Sequence, residues 1–404
     1  MDLSLFGPQP DDLLDSIYEL LAREDVPSLA DFVERRCEEM DVSKRQLADA
    51  LGVPHTRVQN FLNGKTQKVD PLLLIRLSHF LRIGAKDILS MLVASASPDE
   101  VAQMERAKRA GYIAENFDLE RLRRIGFIDS VQDYNAIEER IKTYFDFEKL
   151  NEYSALDIAP AFSKNKMAGN DRMVRFWINV VHAQFRRFLN PNAYDRARLV
   201  ALLPKLRTAT ADPNRGFTSF VHDLYGCGVT VVVESYVTTT QVKGATFVVD
   251  GRPCVVLTNF QKRYDTLWFT LAHELCHVVN DFDWIRSQGY HITGEQNLFM
   301  DPSLEATADR FARLLLLDED SYQQAKRFIG IDAMIRECSQ LWGIHPSIIY
   351  GRYLYDHPDN YSKFGKHLER SDSAIRNHHL EPWTLKTIDE TIPLLRASLE
   401  PTSS

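Results

Sequence analysis

The chain has 404 residues, a formal net charge of −8 and 44% hydrophobic residues. This length predicts two to three domains with packed cores, and the acidic balance excludes a chain devoted throughout to binding nucleic acid. No apolar run reaches transmembrane length, the start at Met1 lacks a signal segment, and the five cysteines show no C-x-x-C spacing. We therefore expect a cytoplasmic protein with reduced thiols and no membrane contact.

The first predicted element is an amphipathic helix in residues 1–27, and a helix-turn-helix domain is expected at 28–95. Ser43 is a predicted N-cap, Gly52-Val53-Pro54 breaks the chain, and a second short helix ends at Gly64. Two short helices with an apolar seam are typical of a helix-turn-helix, which presents its second helix to the major groove. The alternative is a small helical bundle for protein contacts or dimerisation.

Side-chain chemistry indicates which residues of this domain would contact DNA. Arg, Asn and Gln at exposed positions of the second helix match the edges of guanine and adenine, and basic or hydroxyl side chains nearby suit phosphates. The candidates for reading bases are Thr56, Arg57, Gln59 and Asn60, and those for phosphates are Ser43, Lys44, Arg45, Lys65 and Lys68. We expect a homodimer on a double-stranded operator, because such domains read two-fold sites.

Residues 96–210 show helical patterns without a chemical motif, which predicts a helical connector. Three β-rich segments follow, and Asp250-Gly251 between two of them is a good hairpin turn. These segments are 228–234, 244–250 and 253–257. The segment Thr240 to Thr246 is a candidate sheet edge for pairing with an extended peptide, or the sheet simply packs beneath a helix.

The most informative motif is H-E-x-x-H, formed by His273, Glu274 and His277. On a helix the two imidazoles project from one face and can bind one Zn²⁺, with Glu274 placed to take a proton from water. A catalytic zinc needs a third protein ligand, and Glu305 at the start of a later helix is the candidate. Asp309, one turn further on, is suited to accept a hydrogen bond from a ligand histidine.

Other readings of these residues stay open. An isolated H-E-x-x-H also arises by chance, and Glu305 alone would be a capping or surface carboxylate. Tyr290 and His291, on the predicted loop between the motif helices, are candidates for a hydrogen bond to the oxyanion of a cleavage transition state, although a loop histidine is usually a surface residue. Cys276 is expected to be a small buried hydrophobe. Zinc, one ion per chain, is favoured, but iron sites share this ligand composition.

Together these motifs resemble the ImmA/IrrE family of zinc metallopeptidases fused to an N-terminal Xre (Cro/C1)-type helix-turn-helix domain. The resemblance covers 28–91 and 215–355 well and the segment between them weakly. Two departures are Leu315-Leu316-Leu317-Asp318, where family members often have a Leu-Met-Pro-like stop, and Cys276 at a position usually held by a small residue. The residues that carry it are Gln46-Leu47-Ala48-x-x-Leu51-Gly52-Val53, Phe61-Leu62-Asn63-Gly64, Trp268-Phe269-Thr270-Leu271-Ala272-His273-Glu274-x-x-His277, Glu305-x-x-Ala308-Asp309-x-Phe311-Ala312 and Gly343 to Arg352.

The resemblance implies an α+β, mainly helical fold: a helix-turn-helix bundle, a helical connector, and a gluzincin-like zinc peptidase domain with a small sheet at 211–358. Residues 359–404 are left as a tail with one helix. The implied function is a DNA-binding regulator with zinc-dependent endopeptidase activity. Such a protein would cleave a transcriptional repressor or antitoxin-type protein in a stress, toxin–antitoxin or mobile-element response. The alternative is a DNA-binding antitoxin or repressor whose peptidase-like domain only binds partners or senses a signal.

Overall fold

The computed structural model describes residues 28–63, 70–94, 98–155, 171–237, 240–294 and 302–400. The chain divides into two compact units, Met1–Ala110 and Gly111–Ser404. The helix expected within 1–27 lies outside the described residues. Within the described part of the chain, no helix is both long and apolar enough to cross a membrane.

The described part of the first unit is entirely helical. Ser43 caps the second helix by accepting a hydrogen bond from the Gln46 backbone, and the Gln46 side chain accepts one from the Ser43 backbone in return. Gly52, with φ of 66°, ends that helix in the left-handed conformation that glycine favours. Apolar side chains from all five helices form one core. The helices are α1 (Leu29–Glu39), α2 (Lys44–Leu51), α3 (His55–Leu62), α4 (Pro71–Leu81) and α5 (Ala85–Ala94).

The described part of the second unit is mainly helical and contains one five-stranded sheet. Helix α6 (Pro98–Asn116) begins in the first unit and ends in the second, since the boundary between the units falls at residue 110. The helices before the sheet are α7 (Leu119–Arg124), α8 (Tyr134–Phe145), α9 (Glu152–Ala155), α10 (Asp171–Arg187), α11 (Arg196–Leu202), α12 (Pro204–Ala209) and α13 (Gly216–Gly226). The later ones are α14 (Tyr264–Asn280), α15 (Phe282–Gln288), α16 (Pro302–Leu316), α17 (Glu319–Lys326), α18 (Asp332–Trp342), α19 (Pro346–Asp356), α20 (Tyr361–Phe364), α21 (Asp372–Ile375) and α22 (Thr391–Leu399).

The sheet is mixed and its described strands lie in the order β4-β2-β3-β1-β5. β1 runs parallel to β3 and β5, whereas β2 is antiparallel to both β3 and β4. The hairpin predicted at Asp250-Gly251 joins β2 to β3, and both residues have positive φ, as a two-residue turn of this kind requires. The strands are β1 (Thr230–Glu234), β2 (Val242–Val249), β3 (Arg252–Thr258), β4 (Tyr290–Gly294) and β5 (His379–Leu380).

The expected sheet edge at Thr240 to Thr246 is wrong. This segment leads into β2, which lies between β3 and β4 in the sheet. β4 follows β2 only after the long helix α14 and pairs with it from Val242↔Gly294 to Phe247↔Tyr290. A local sequence pattern cannot identify a neighbour so distant along the chain. The outermost described strands are β4 and β5.

The two faces of β2 pack against different helices. Phe247 is buried, with its ring 6.5 Å from that of Trp177 and 6.0 Å from that of Phe185, both on α10. Gly244 and Thr246 lie on the face of β2 opposite to Phe247, because successive residues of a strand point to opposite faces. On that face β2 contacts α14. The sheet is therefore enclosed between α10 and α14, and one face of it lies beneath the H-E-x-x-H helix.

One apolar core extends through the second unit from Ile113 to Leu399. It crosses residues 210 and 358, where the sequence placed domain boundaries. The segment after 358 holds more than the single predicted helix, because β5 pairs with β1 and two four-residue helices precede α22. Elements of two to four residues are too short for hydrophobic periodicity to reveal.

Candidate functional site: a buried histidine–carboxylate cluster

Helix α14 brings the two motif histidines together. His273 and His277 are 2% and 0% exposed, and their Nε2 atoms lie 3.2 Å apart. The helix is buried along almost its entire length, between the sheet on one side and α16 and α19 on others. The one-turn spacing therefore directs both nitrogens to the same point, as the motif predicts.

Glu305, the predicted third ligand, reaches that point from α16. Its Oε2 lies 3.5 Å from His273 Nε2 and its Oε1 lies 3.3 Å from His277 Nε2. The residue is 6% exposed, which is unusual for a carboxylate without a compensating charge. The packing of α16 against α14 thus unites two motifs that are 28 or more residues apart in sequence.

His291 joins the same cluster from the sheet. Residues 290 and 291 lie in β4 and not in the loop that the sequence suggested. His291 Nε2 is 3.0 Å from Glu305 Oε1, and its ring centroid is 4.1 Å from that of His277. One potential ligand atom from each of His273, His277, His291 and Glu305 lies within 4.8 Å of all the others. The sequence named His291 as a transition-state donor and missed it as a possible ligand.

Tyr290, the other predicted donor, lies on the wrong face of the sheet. Its ring is 5.7 Å from that of Phe247, its partner in β2, whereas His291 is opposite Thr246 on the side of α14. Successive residues of a strand point to opposite faces, so only one of the two can reach the cluster. The prediction for Tyr290 is therefore wrong.

Two aspartates contact the motif histidines at Nδ1, the ring nitrogen that is not directed into the cluster. His273 Nδ1 is 2.9 Å from Asp309 Oδ1, the contact expected from the sequence. His277 Nδ1 is 2.7 Å from Asp281 Oδ2, a contact that the sequence analysis missed although Asp281 follows His277 by one helical turn. When each Nδ1–H donates to its carboxylate, each Nε2 carries its lone pair toward the centre of the cluster.

The electrostatics of the cluster favour a positive charge. Burial alone would lower the pKa of His273, but hydrogen bonds with Asp309 and Glu305 outweigh it and raise that pKa to about 10. Burial would raise the pKa of Glu305, yet its contacts with the histidines hold it well below the usual range of a glutamate. Buried carboxylates around imidazoles are compensated either by protons or by a metal ion.

Glu274 lies beside the cluster and is fully buried. Its Oε2 accepts a 2.7 Å hydrogen bond from the Thr246 hydroxyl on β2, while its Oε1 has no hydrogen-bond partner among the described residues. The carboxylate fits against β2 because position 244 is a glycine, where a Cβ would lie 2.7 Å from Oε1. Cys276 is buried, as expected, and accepts a hydrogen bond from Asn280.

The donor set fits a transition-metal ion. Three imidazoles and one carboxylate suit zinc, and iron or other divalent metals also bind such ligands. Glu305 Oε1 supports this fit, because it is buried within 3.3 Å of two imidazole nitrogens and still makes no hydrogen bond of acceptable geometry in the described part of the chain. A cation at the point where the imidazole nitrogens converge would satisfy this oxygen.

The first unit displays the predicted base-reading residues on one surface. Thr56, Arg57, Gln59 and Asn60 are all exposed on α3, whereas Val58 and Phe61 face the core. Arg57 is not wholly free for DNA, since its guanidinium is 2.8 Å from the carboxylate of Asp70. An exposed second helix held by a buried seam is the arrangement that a helix-turn-helix requires.

The predicted phosphate contacts are placed less uniformly. Ser43 caps α2, the neighbouring Lys44 pairs with Glu34 at 2.5 Å, and Arg45 is exposed. Lys65 and Lys68 lie outside the described residues.

Residues 33–88 match a family model described as Helix-turn-helix. The matched range lies within the first unit and includes α2, α3 and α4 completely. No curated protein and no solved structure matches the chain. The match supports a DNA-binding role for the first unit, and it does not extend to the histidine–carboxylate cluster of the second unit.

Proposed function

We propose that the chain is a DNA-binding regulator whose second unit is a metal-dependent endopeptidase. The observation that carries the proposal is the buried convergence of His273, His277 and Glu305 beside the carboxylate of Glu274. Two imidazoles and one carboxylate from two helices, with an adjacent glutamate, are the parts that metal-assisted peptide hydrolysis needs.

The proposed metal is zinc, held by His273, His277 and Glu305. Zinc held there would supply Lewis-acid chemistry, because it would polarise a scissile carbonyl and make water a stronger nucleophile at neutral pH. Asp309 and Asp281 hold the imidazoles in the orientation that keeps each Nε2 directed inward. These contacts fix the ligands before any substrate binds, which lowers the cost of assembling the site.

Glu274 is the proposed general base. Thr246 holds its Oε2, which leaves Oε1 as the oxygen that takes a proton from the attacking water and delivers it to the leaving amine. The position of the base is set by β2 on one side and by its own helix on the other. Proton transfer then needs no large movement of the main chain.

The proposed substrate is a protein of the repressor or antitoxin class, as the family resemblance implies. The first unit would bring the peptidase to an operator as a homodimer, since helix-turn-helix domains read two-fold sites. An extended substrate can pair with the free side of β4, because β4 is one of the two outermost described strands. Such a substrate would lie near the cluster, since β4 carries His291 into it.

The test uses the full chain loaded with zinc and a defined mixture of synthetic peptides, with cleavage read by mass spectrometry. Wild type is compared with Glu274→Gln and, as a matched control, with a substitution of an exposed glutamate on α17, Glu319→Gln. Glu274→Gln is expected to keep zinc and lose cleavage, because it lacks the proton acceptor. Cleavage by this variant, or none by the zinc-loaded wild type, would contradict the proposal.

A second candidate function follows from His291. Four protein ligands around zinc are typical of structural sites, which hold no open position. If His291 is a permanent ligand, the second unit is a partner-binding or sensing module and the protein is a DNA-binding repressor or antitoxin. Metal would then change the affinity for DNA or partner without any peptide being cleaved, and gel-shift titrations with and without zinc distinguish the two functions.

A further inference from the structure

The three histidines of the cluster are not supported equally. Nδ1 of His273 contacts Asp309 and Nδ1 of His277 contacts Asp281, at 2.9 and 2.7 Å. Nδ1 of His291 is buried and has no hydrogen-bond partner among the described residues. A ligand histidine normally donates its second N–H to a carboxylate or carbonyl, which fixes the ring and makes it a stronger ligand. Within the described ranges, His291 has no such support.

His291 also differs in the element that carries it. The other ligands are on α14 and α16, two helices packed against each other, whereas β4 is at the edge of the described sheet and pairs there only with β2. A second partner is already within reach, because the Thr293 hydroxyl lies 3.3 Å from His291 Nε2. The imidazole can therefore leave the cluster and keep a hydrogen bond on Nε2.

We infer that His291 is a labile fourth ligand that closes the metal centre at rest and yields its place to an incoming ligand. The inference rests on the proposed function, since it specifies how that site is regulated. The coordinate bond between His291 Nε2 and the metal would break as a donor atom of the incoming molecule binds the metal in its place. One coordinate bond is exchanged for another, and no electron is transferred. A peptide paired with the free side of β4 would bind close to the residue it displaces.

The test requires no proteolysis. The full-length protein is loaded with Co²⁺, whose visible absorption reports the number and type of ligands, and is then titrated with azide as the external ligand. We compare wild type, His291→Ala, His291→Phe, which keeps a planar ring without a nitrogen, and His273→Ala. Tyr290→Phe is the matched control, because it changes the adjacent residue on the opposite face of β4.

The expected results separate a labile ligand from a permanent one and from a bystander. Both His291 variants should bind Co²⁺ about tenfold more weakly, show an altered visible spectrum and bind azide at least about tenfold more tightly than wild type. Tyr290→Phe should match wild type, and His273→Ala should lose stoichiometric Co²⁺. Circular dichroism checks that each variant is folded.

Two outcomes would overturn the inference. Unchanged spectra and azide affinity in both His291 variants would mean that His291 does not bind the metal. That result would fit a histidine that only donates a hydrogen bond to a transition state. Loss of Co²⁺ as complete as in His273→Ala would mean that it is permanent and not labile. Failure of the wild type to bind Co²⁺ or Zn²⁺ would overturn the proposed metal centre itself. It is distinguishable from the two outcomes above, because in both of those the wild type binds metal.

Discussion

Gly244 on β2 sets the distance between the sheet and the proposed general base. A Cβ at this position would lie 2.7 Å from Glu274 Oε1, 2.8 Å from Thr270 Cγ2 and 3.1 Å from Glu274 Cγ. The φ of Gly244 is not in the left-handed region, so the backbone itself tolerates alanine. The substitution Gly244→Ala therefore tests a side-chain clash alone, and we expect it to push Glu274 away from Thr246.

The magnitude follows from the two contacts that the movement disturbs. The hydrogen bond from Thr246 to the buried carboxylate contributes about 1.5–3 kcal/mol. Overpacking against Thr270 costs about 1–3 kcal/mol. The movement that relieves the clash also breaks the hydrogen bond, so the two effects do not simply add. We expect a loss of about 3 kcal/mol in the free energy of unfolding, roughly a hundredfold in the equilibrium constant.

The assay uses the distribution of tryptophan in the chain. The five tryptophans all lie beyond residue 110, so intrinsic fluorescence in a urea titration reports the second unit within the full-length protein. A loss of this size should move the urea midpoint of Gly244→Ala down by about 1 M. Metal content should stay unchanged, because neither Gly244 nor Glu274 is one of the candidate ligands.

Gly330→Ala is the matched control. It lies in the same unit, and an added Cβ there has no atom within 4 Å among the described residues. Its free energy of unfolding should stay within about 0.5 kcal/mol of wild type. A midpoint for Gly244→Ala equal to that of Gly330→Ala would refute the claim that Glu274 lies against β2 only because position 244 has no Cβ.

Three further predictions concern other parts of the chain. Asp281→Ala should weaken zinc binding about 10- to 100-fold in a chelator competition, while the exposed Asp283→Ala should not, and equal affinities would contradict the orienting role of Asp281. Burial raises the pKa of Glu234 to about 7, above the 4.5 of an exposed glutamate. As the pH rises, the unfolded chain loses this proton at a lower pH than the folded chain does. The free energy of unfolding therefore falls as pH rises from about 4.5 to about 7. Glu234→Gln should remove up to about 3 kcal/mol of that pH dependence in urea titrations, and an unchanged pH profile would exclude Glu234 as its source. On an operator selected from random duplexes, Asn60→Ala should cost about 1–3 kcal/mol of specific binding free energy. Arg45→Ala should weaken specific and non-specific binding alike. The reverse pattern would contradict the assignment of Asn60 to a base and of Arg45 to a phosphate.

The sequence predicted the parts of the site that depend on local geometry. The spacing of His273 and His277 on a helix requires convergence, and Asp309 one turn after Glu305 reaches a ligand histidine for the same reason. The hairpin at Asp250-Gly251 was equally local. In the first unit, the N-cap at Ser43 followed from residue types that recur wherever a helix begins.

What the sequence missed depends on contacts between distant segments. β4 pairs with β2 across the whole of α14, and this pairing alone places His291 in the cluster and Tyr290 outside it. The same pairing removes Thr240 to Thr246 from the sheet edge. Asp281 is different, because it follows His277 by one helical turn and its contact is therefore predictable from spacing alone.

The central claim is that the second unit holds one metal ion through ligands on α14 and α16. The most direct measurement is the metal content of the purified full-length protein by mass spectrometry, with wild type beside His273→Ala and Glu305→Ala. The account predicts one equivalent of zinc in the wild type and loss of stoichiometric zinc in both variants, each still folded by circular dichroism. A wild type without metal after loading, or variants that retain a full equivalent, would contradict it.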